Sequence, residues 1–263
     1  MKNKFNNLLF ILICFIFLSK NINADEPFIF DITEIEILDN GNQINGFKGG
    51  TATSKDGSTI TAENFFYNKL TNILETTGNV EYKDKIKNII ISTDKAIYLK
   101  NEEKIFTIGN SKAVNNNNTI KASDLKYDKF KNIFEAKKNA VATDVEKDTT
   151  IYADEILYFK NEEKIFTKGK TKALIGNKYK FNSENVSYYR NLGDLISQKK
   201  SSIEDDSGNI YKLDNFSYNI DKELLKGKKI EVLAKVDKNK TDQYFFSEGF
   251  FNFKDKSHLA KET

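Results

Sequence analysis

Nucleophilic or acid–base chemistry needs a histidine, a cysteine or paired carboxylates held beside a partner. His258 is the one histidine in 263 residues, and Cys14 the one cysteine. His258 lies near the C-terminus with no Gly-x-Ser-x-Gly elbow to present a nucleophile. The acids that do recur are Glu63, Asp94, Asp154, Glu184 and Asp214, with Ser123 standing in the same place in a sixth copy. Repeated acids can hold calcium in solenoids, but that chemistry uses a Gly-Gly-x-Gly-x-Asp run, which this chain does not contain. The residues therefore argue against an enzyme and against a metal, and no cofactor is expected. What travels with the acids is apolar, and it recurs as regularly as they do.

The phrase KNEEKIFT occurs at Lys100–Thr107 and again at Lys160–Thr167, sixty residues on. Around it the chain repeats with a period near thirty. Tyrosines mark the copies at Tyr67, Tyr98, Tyr127, Tyr158, Tyr188 and Tyr218, spaced 31, 29, 31, 30 and 30. Seven residues before each marker stand Ile60, Ile91, Ile120, Ile151, Phe181 and Tyr211. Two before stand Phe65, Ala96, Leu125, Ile156, Val186 and Phe216, and seven after stand Leu74, Ile105, Phe134, Ile165, Leu195 and Leu225. Ala62 and Ala153 hold the third place of their copies. A degenerate earlier copy carries Phe30, Ile32, Ile35, Ile37 and Ile44, and a later one carries Phe246, Phe251 and Phe253. A fixed period of this length is the signature of stacked structural units.

The elements that would position these columns are strands. Apolar residues take the first, third, sixth and eighth places of a copy, which is strand alternation with one slip. The slip must be a bulge or bend, since a shift of one residue would otherwise turn the face over. The acid at that point is expected to satisfy backbone N–H groups left free by the broken ladder. A polar turn follows each Tyr, then a second strand broken at Gly78, Gly109 or Gly169. The chain has one proline, Pro27, and no helical pattern of useful length. Eight copies counted as strands about 4.8 Å apart would form a slab on the order of 40 Å long.

Residues 1–24 read as a targeting segment. Lys2 and Lys4 precede an apolar run from Leu8 to Leu18, and Ala24 offers a cleavage point before Asp25. That run is shorter than the roughly 20 residues needed to span a bilayer. Ile13 and the apolar residues after Cys14 argue against a lipid-attachment box. Removing 1–24 takes Lys2, Lys4 and Lys20 from the 41 basic residues, leaving 38 against 38 acidic ones. The mature chain, 25–263, is formally neutral, which gives no ground for nucleic acid as a partner. Without a cysteine it holds no disulfide.

The run Ile60-Thr61-Ala62-Glu63…Tyr67 with Gly78-Asn79-Val80, and Ile151-Tyr152-Ala153-Asp154…Tyr158 with Gly169, resembles the OstA-like domain. That domain forms the periplasmic lipopolysaccharide-transport bridge protein LptA and the N-terminus of the outer-membrane assembly protein LptD. The resemblance covers the chain from about residue 28 to the end. The run Glu248-Gly249-Phe250-Phe251-Asn252-Phe253 to Thr263 is similar to the stretch of LptD just before its membrane barrel, although no barrel follows in this sequence. The resemblance implies an all-β, repeat-built, twisted antiparallel β-jellyroll of about eight repeats, the last truncated. It would be open along one side, with an apolar interior.

The resemblance also implies a ligand and partners. The ligand would be lipopolysaccharide, with the in-phase residues from Ile60 to Leu225 lining a groove for its acyl chains. The partners would be other jellyroll modules of the transport system, met by edge-strand pairing, and, for an LptD-like chain, an outer-membrane barrel and its lipoprotein. A dozen buried CH₂ groups would contribute roughly 10 kcal/mol. A uniform, side-open groove lets such a chain slide with little net change per step. Tyr suits its margin, with an apolar ring and a hydroxyl that reaches water. Periodicity alone favours an ordinary two-sheet core that binds nothing, and it is the resemblance that turns the reading toward a groove.

Overall fold

A computed structural model describes residues 26–262 apart from 177, 238 and 239. The targeting segment and its cleavage point lie outside the described residues. The strands are β1 (Phe28–Leu38), β2 (Gln43–Ser54), β3 (Thr59–Ala62), β4 (Asn64–Asn68), β5 (Ile73–Asp84), β6 (Ile89–Leu99), β7 (Lys104–Asn115), β8 (Asn118–Asp128), β9 (Ile133–Asp144) and β10 (Thr149–Phe159). They continue as β11 (Lys164–Ile175), β12 (Tyr179–Glu184), β13 (Ser187–Tyr189), β14 (Asp194–Ser197), β15 (Ser201–Glu204), β16 (Ile210–Leu213), β17 (Asn215–Asn219), β18 (Leu224–Lys235), β19 (Thr241–Asn252) and β20 (Ser257–Glu262). All belong to one antiparallel sheet, as the alternation and the family resemblance require. Its helical content among the described residues is three single 3₁₀ turns, at Asp39–Gly41, Lys100–Glu102 and Lys160–Glu162.

Each thirty-residue copy supplies two passes across the sheet. The passes run in sequence order, each pairing with the one before and the one after, so contacts between strands are local in the chain. Four passes are split at the middle into two strands: β3/β4, β12/β13, β14/β15 and β16/β17. Counted this way there are sixteen passes rather than eight strands, and the stack is roughly 70 Å long instead of 40.

The slip read from the repeat is a bulge in the middle of the pass. The register shifts between Ser92 and Lys95, between Lys121 and Asp124 and between Ala153 and Glu155. The acid at that point works differently from expectation. Glu63 and Asp94 accept hydrogen bonds from the side-chain amides of Asn79 (2.6 Å) and Asn110 (2.9 Å) in the next pass, not from backbone N–H groups. Each lies over a glycine with positive φ, Gly78 and Gly109, where an added Cβ would collide with the carboxylate. Glycine is needed there for both the left-handed backbone and the close approach.

The bulge folds every pass in two, so the sheet closes over its own apolar face. The two kinds of turn, those after each marker Tyr and those at the far end of each pass, come together along one side. Among the described residues no strand ladder links them there, since each pass pairs only with the passes before and after it. This is the open side expected of the jellyroll, and side chains bridge it.

A filled interior closed by a polar seam

Of the twenty-five residues assigned to a groove, twenty-four lie in one continuous buried cluster that runs the length of the stack. Tyr67, Ile105, Tyr127, Ile156, Leu195, Tyr218 and Leu225 have no exposed surface. Ala153 packs against this cluster at the crease. The columns therefore meet, as strand alternation demands. Sequence reasoning missed the second half of each return pass, where Val80, Tyr82, Ala140, Ala142, Ala173 and Ile203 complete the core. The signal was there as alternation after each glycine, but many of those positions hold small residues that look neutral by type.

The side chains fill the space they enclose. Tyr127 stacks on Phe134 at 4.4 Å between ring centres and Tyr82 reaches Tyr127 across the fold at 6.5 Å. Near the first pass Phe28 meets Tyr67 at 5.4 Å and Tyr98 at 5.6 Å, edge-on. In the later copies Phe181, Tyr218 and Phe253 form a similar group. A hollow of about 470 Å³ opens at the surface beside Tyr152, Asp154 and Lys170.

The lining is layered. At the crease, buried hydroxyls pair inside the bulge: Thr107 with Ser111 at 2.6 Å, Thr167 with Thr171 at 2.6 Å and Ser183 with Ser201 at 2.8 Å. They satisfy the polar groups a bulge leaves exposed to the core. Aliphatic and aromatic residues occupy the middle. At the seam stand the hydroxyls of the marker tyrosines.

Four of the six marker tyrosines find an acceptor five residues on, in the turn that follows. Tyr67 donates to Asn72 (2.8 Å), Tyr98 to Glu103, Tyr127 to Asn132 (3.2 Å) and Tyr158 to Glu163 (3.2 Å). Those acceptors all have positive φ, so one left-handed residue both closes the turn and caps the ring. The fifth copy has Gly193 there, and Tyr188 donates instead to Asp144 at 3.0 Å. In the sixth, Glu223 is engaged by Tyr179 (2.6 Å) and Lys178 (3.2 Å), and the buried Tyr218 hydroxyl has no partner. Burial, the first cause, and nearby carboxylates push Tyr67 and Tyr158 up to about 12. The marker hydroxyls are thus protonated donors at neutral pH.

Across the seam the ties are side chains from turns far apart in sequence. Lys129, 5% exposed, pairs with Asp56 at 2.6 Å and Glu103 at 2.9 Å, and it donates to the Tyr98 hydroxyl at 3.0 Å. Arg190 binds Asp144 at 2.9 Å and also Glu163. Lys147 reaches Asp221 at 2.6 Å. The partners sit 73, 46 and 74 residues apart, because the twist of the sheet offsets its two halves by several passes. Burial pushes Asp56 up, but hydrogen bonds from Lys129 and Ser58 outweigh it and hold the carboxyl well below the usual range. Glu103 is lowered by the same balance, with Lys100, Tyr98 and Lys129 opposing burial. Among the described residues no three histidines or acids gather as a metal site.

No family model matches the chain, and no curated protein matches it. Among solved structures, it is similar to LptH, the LptA homologous periplasmic component of the lipopolysaccharide transport device of Pseudomonas aeruginosa. Identity is 15% over 43% of this chain and 84% of that one, with a TM-score of 0.40. It is also similar to the TCP10 domain of Danio rerio CPAP in complex with a STIL peptide, at 8% identity over 88% of this chain and 99% of that one, with a TM-score of 0.19. At TM-scores below one half neither carries the functional argument, which rests on this chain's own residues.

Proposed function

We propose that this chain is a non-catalytic periplasmic carrier of lipopolysaccharide, taking acyl chains into its interior and passing them toward the outer membrane. One observation carries the reading: an apolar core roughly 70 Å long is continuous from copy to copy, yet one side is shut only by side-chain ties. A ladder would close that side permanently, whereas ion pairs and tyrosine hydroxyls can part and re-form along its length. Because rings fill the interior, an acyl chain enters by displacing them as the seam opens, and its burial replaces theirs. The finer reading is an LptD-like N-terminal domain beside an outer-membrane barrel and its lipoprotein; the alternative is a stand-alone LptA-like bridge. In either, unpaired edge strands would meet neighbouring jellyroll modules.

The filled core favours a second reading, a scaffold that binds nothing. Photo-crosslinking separates the two. A photoreactive residue at Ile156 or Tyr158, both buried, should capture lipopolysaccharide in cells, while one at the exposed Glu162 should not. Equal labelling at all three, or none at the buried pair, would leave the scaffold.

A further inference from the structure

The seam's charges are balanced in one half and not in the other. In the C-terminal half every cation that bridges the two sets of turns has a carboxylate: Arg190 has Asp144 and Glu163, Lys147 has Asp221, and Lys178 has Glu223. In the N-terminal half Lys129 and Lys100 are also paired, sharing Glu103, with Asp56 on Lys129. Lys87 and Lys160 are different. The Lys87 ammonium donates to the backbone carbonyl of Lys129, and the Lys160 ammonium donates to the carbonyl of Lys87 at 3.1 Å. Neither has a carboxylate within ion-pair distance.

Each ammonium has three donors, so each has two left after its carbonyl contact. The Lys160 ammonium lies against the Lys87 backbone, 73 residues away in sequence, so the seam sets the two turns side by side. A solvated surface lysine would swing into water, but Lys87 is held at a packed junction. Burial lowers its proton affinity, Asp84 opposes this, and Lys129 and Lys160 lower it further. Beside it opens a surface hollow of about 590 Å³ lined by Lys55, Asp56, Lys87, Lys100, Glu103 and Lys129. The two acids there are already engaged by Lys129 and Lys100, so Lys87 faces the hollow with no carboxylate within ion-pair distance.

We infer that Lys87 and Lys160 form a binding site for a phosphomonoester dianion at the N-terminal half of the seam. Two ammonium groups with free donors match the charge and the oxygens of that group. Identifying the phosphate as the head group of a lipid whose tails enter the core rests on the function proposed above. The site itself stands on the unpaired cations alone.

The test uses the mature chain and three probes below their aggregation limits: short-chain phosphatidic acid, the matching diacylglycerol, and inorganic phosphate. Calorimetry should show phosphatidic acid binding at least about tenfold tighter than either other probe, the increment expected from two charge-assisted contacts. Lys87→Gln with Lys160→Gln should abolish that preference and leave diacylglycerol binding unchanged. The paired Lys178→Gln, on the balanced half, should leave the preference intact. Inorganic phosphate binding as tightly as phosphatidic acid, and lost in the double variant, would confirm the phosphate site and reject the lipid head group. If diacylglycerol does not bind and Ile156 captures no lipid, the carrier reading fails, and the phosphate arm alone judges the site. Phosphate and phosphatidic acid binding the double variant as well as the wild type, or not binding the wild type, would overturn the inference.

Discussion

The marker tyrosine does two jobs whose energies can be separated. Its ring fills the core, and its hydroxyl ties the seam. At Tyr98 the hydroxyl donates to Glu103 and accepts from Lys129, so Tyr98→Phe should destabilise by about 1.5–3 kcal/mol, the range for a hydrogen bond to charged groups. Tyr218 has the same burial but no partner, because Tyr179 and Lys178 engage the residue that should accept from it. Removing that hydroxyl removes a desolvated, unpaired dipole. Tyr218→Phe should therefore raise stability by about 1 kcal/mol. Urea unfolding of the two variants side by side decides the matter: a Tyr218→Phe midpoint as low as that of Tyr98→Phe would show that the hydroxyl is satisfied in solution.

Among the elements, the passes were legible and the seam was not. Alternation at the first, third, sixth and eighth places put Ile91, Ala96 and Tyr98 on one face, and the slip between them announced the bulge. Both follow from period-two geometry, which depends only on near neighbours. The turns carry no comparable signal. Lys129 and Asp56 are ordinary surface residues by type, and they meet only because every pass bends at its bulge and the sheet twists by a set amount. Nothing within thirty residues of either encodes that angle. The recurring acceptor five residues after Tyr could have been found, since Asn72, Glu103, Asn132 and Glu163 are all amides or acids.

That seam has a pH signature with a defined sign. Asp56 and Glu103 are held below the usual carboxylate range in the folded chain. Their contribution is present above the unfolded carboxylate pKa near 4 and is lost as pH falls through the lower folded values. Lys129→Met keeps an apolar stem of similar length but removes the ammonium, which lies over Tyr82 (5.7 Å) and Tyr98 (5.3 Å). At pH 7 it should cost roughly 2–3 kcal/mol, less than a fully buried pair because Asp56 is 41% exposed. Below pH 4 the gap to wild type should narrow, since the carboxylates no longer need a cation. Urea midpoints from pH 7 to pH 3 give the readout, and a gap independent of pH would assign the effect of Lys129 to packing alone.

At the scale of the whole molecule, the core has two ends, and among the described residues no strand covers either. The register carries the Tyr67 column through Ile44 to Ile37, and the Phe65 position through Gly46 to Ile35. On the first pass, however, Ile35 is 43% and Ile37 65% exposed, and among the described residues no strand lies beside the outer edge of β1. Leu259, 75% exposed, lies on β20, the strand at the opposite edge. An unpaired strand with an apolar face adds another strand, and doing so here would extend both ladder and core into a neighbouring module. Because the two edges differ, the contact is head-to-tail and can propagate. Burying Ile35 and Ile37 would contribute about 1.5–3 kcal/mol for each side chain fully covered, at least tenfold in affinity. Ile37→Lys should therefore weaken self-association, or association with a second jellyroll, by tenfold or more in sedimentation velocity. Its unfolding midpoint should stay within about 0.5 kcal/mol of wild type, as for other exposed positions. Ile86→Lys, in a turn away from both edges and 83% exposed, serves as the control and should change neither. Equal loss of association in both variants would mean that general surface hydrophobicity, and not the edge of β1, brings modules together.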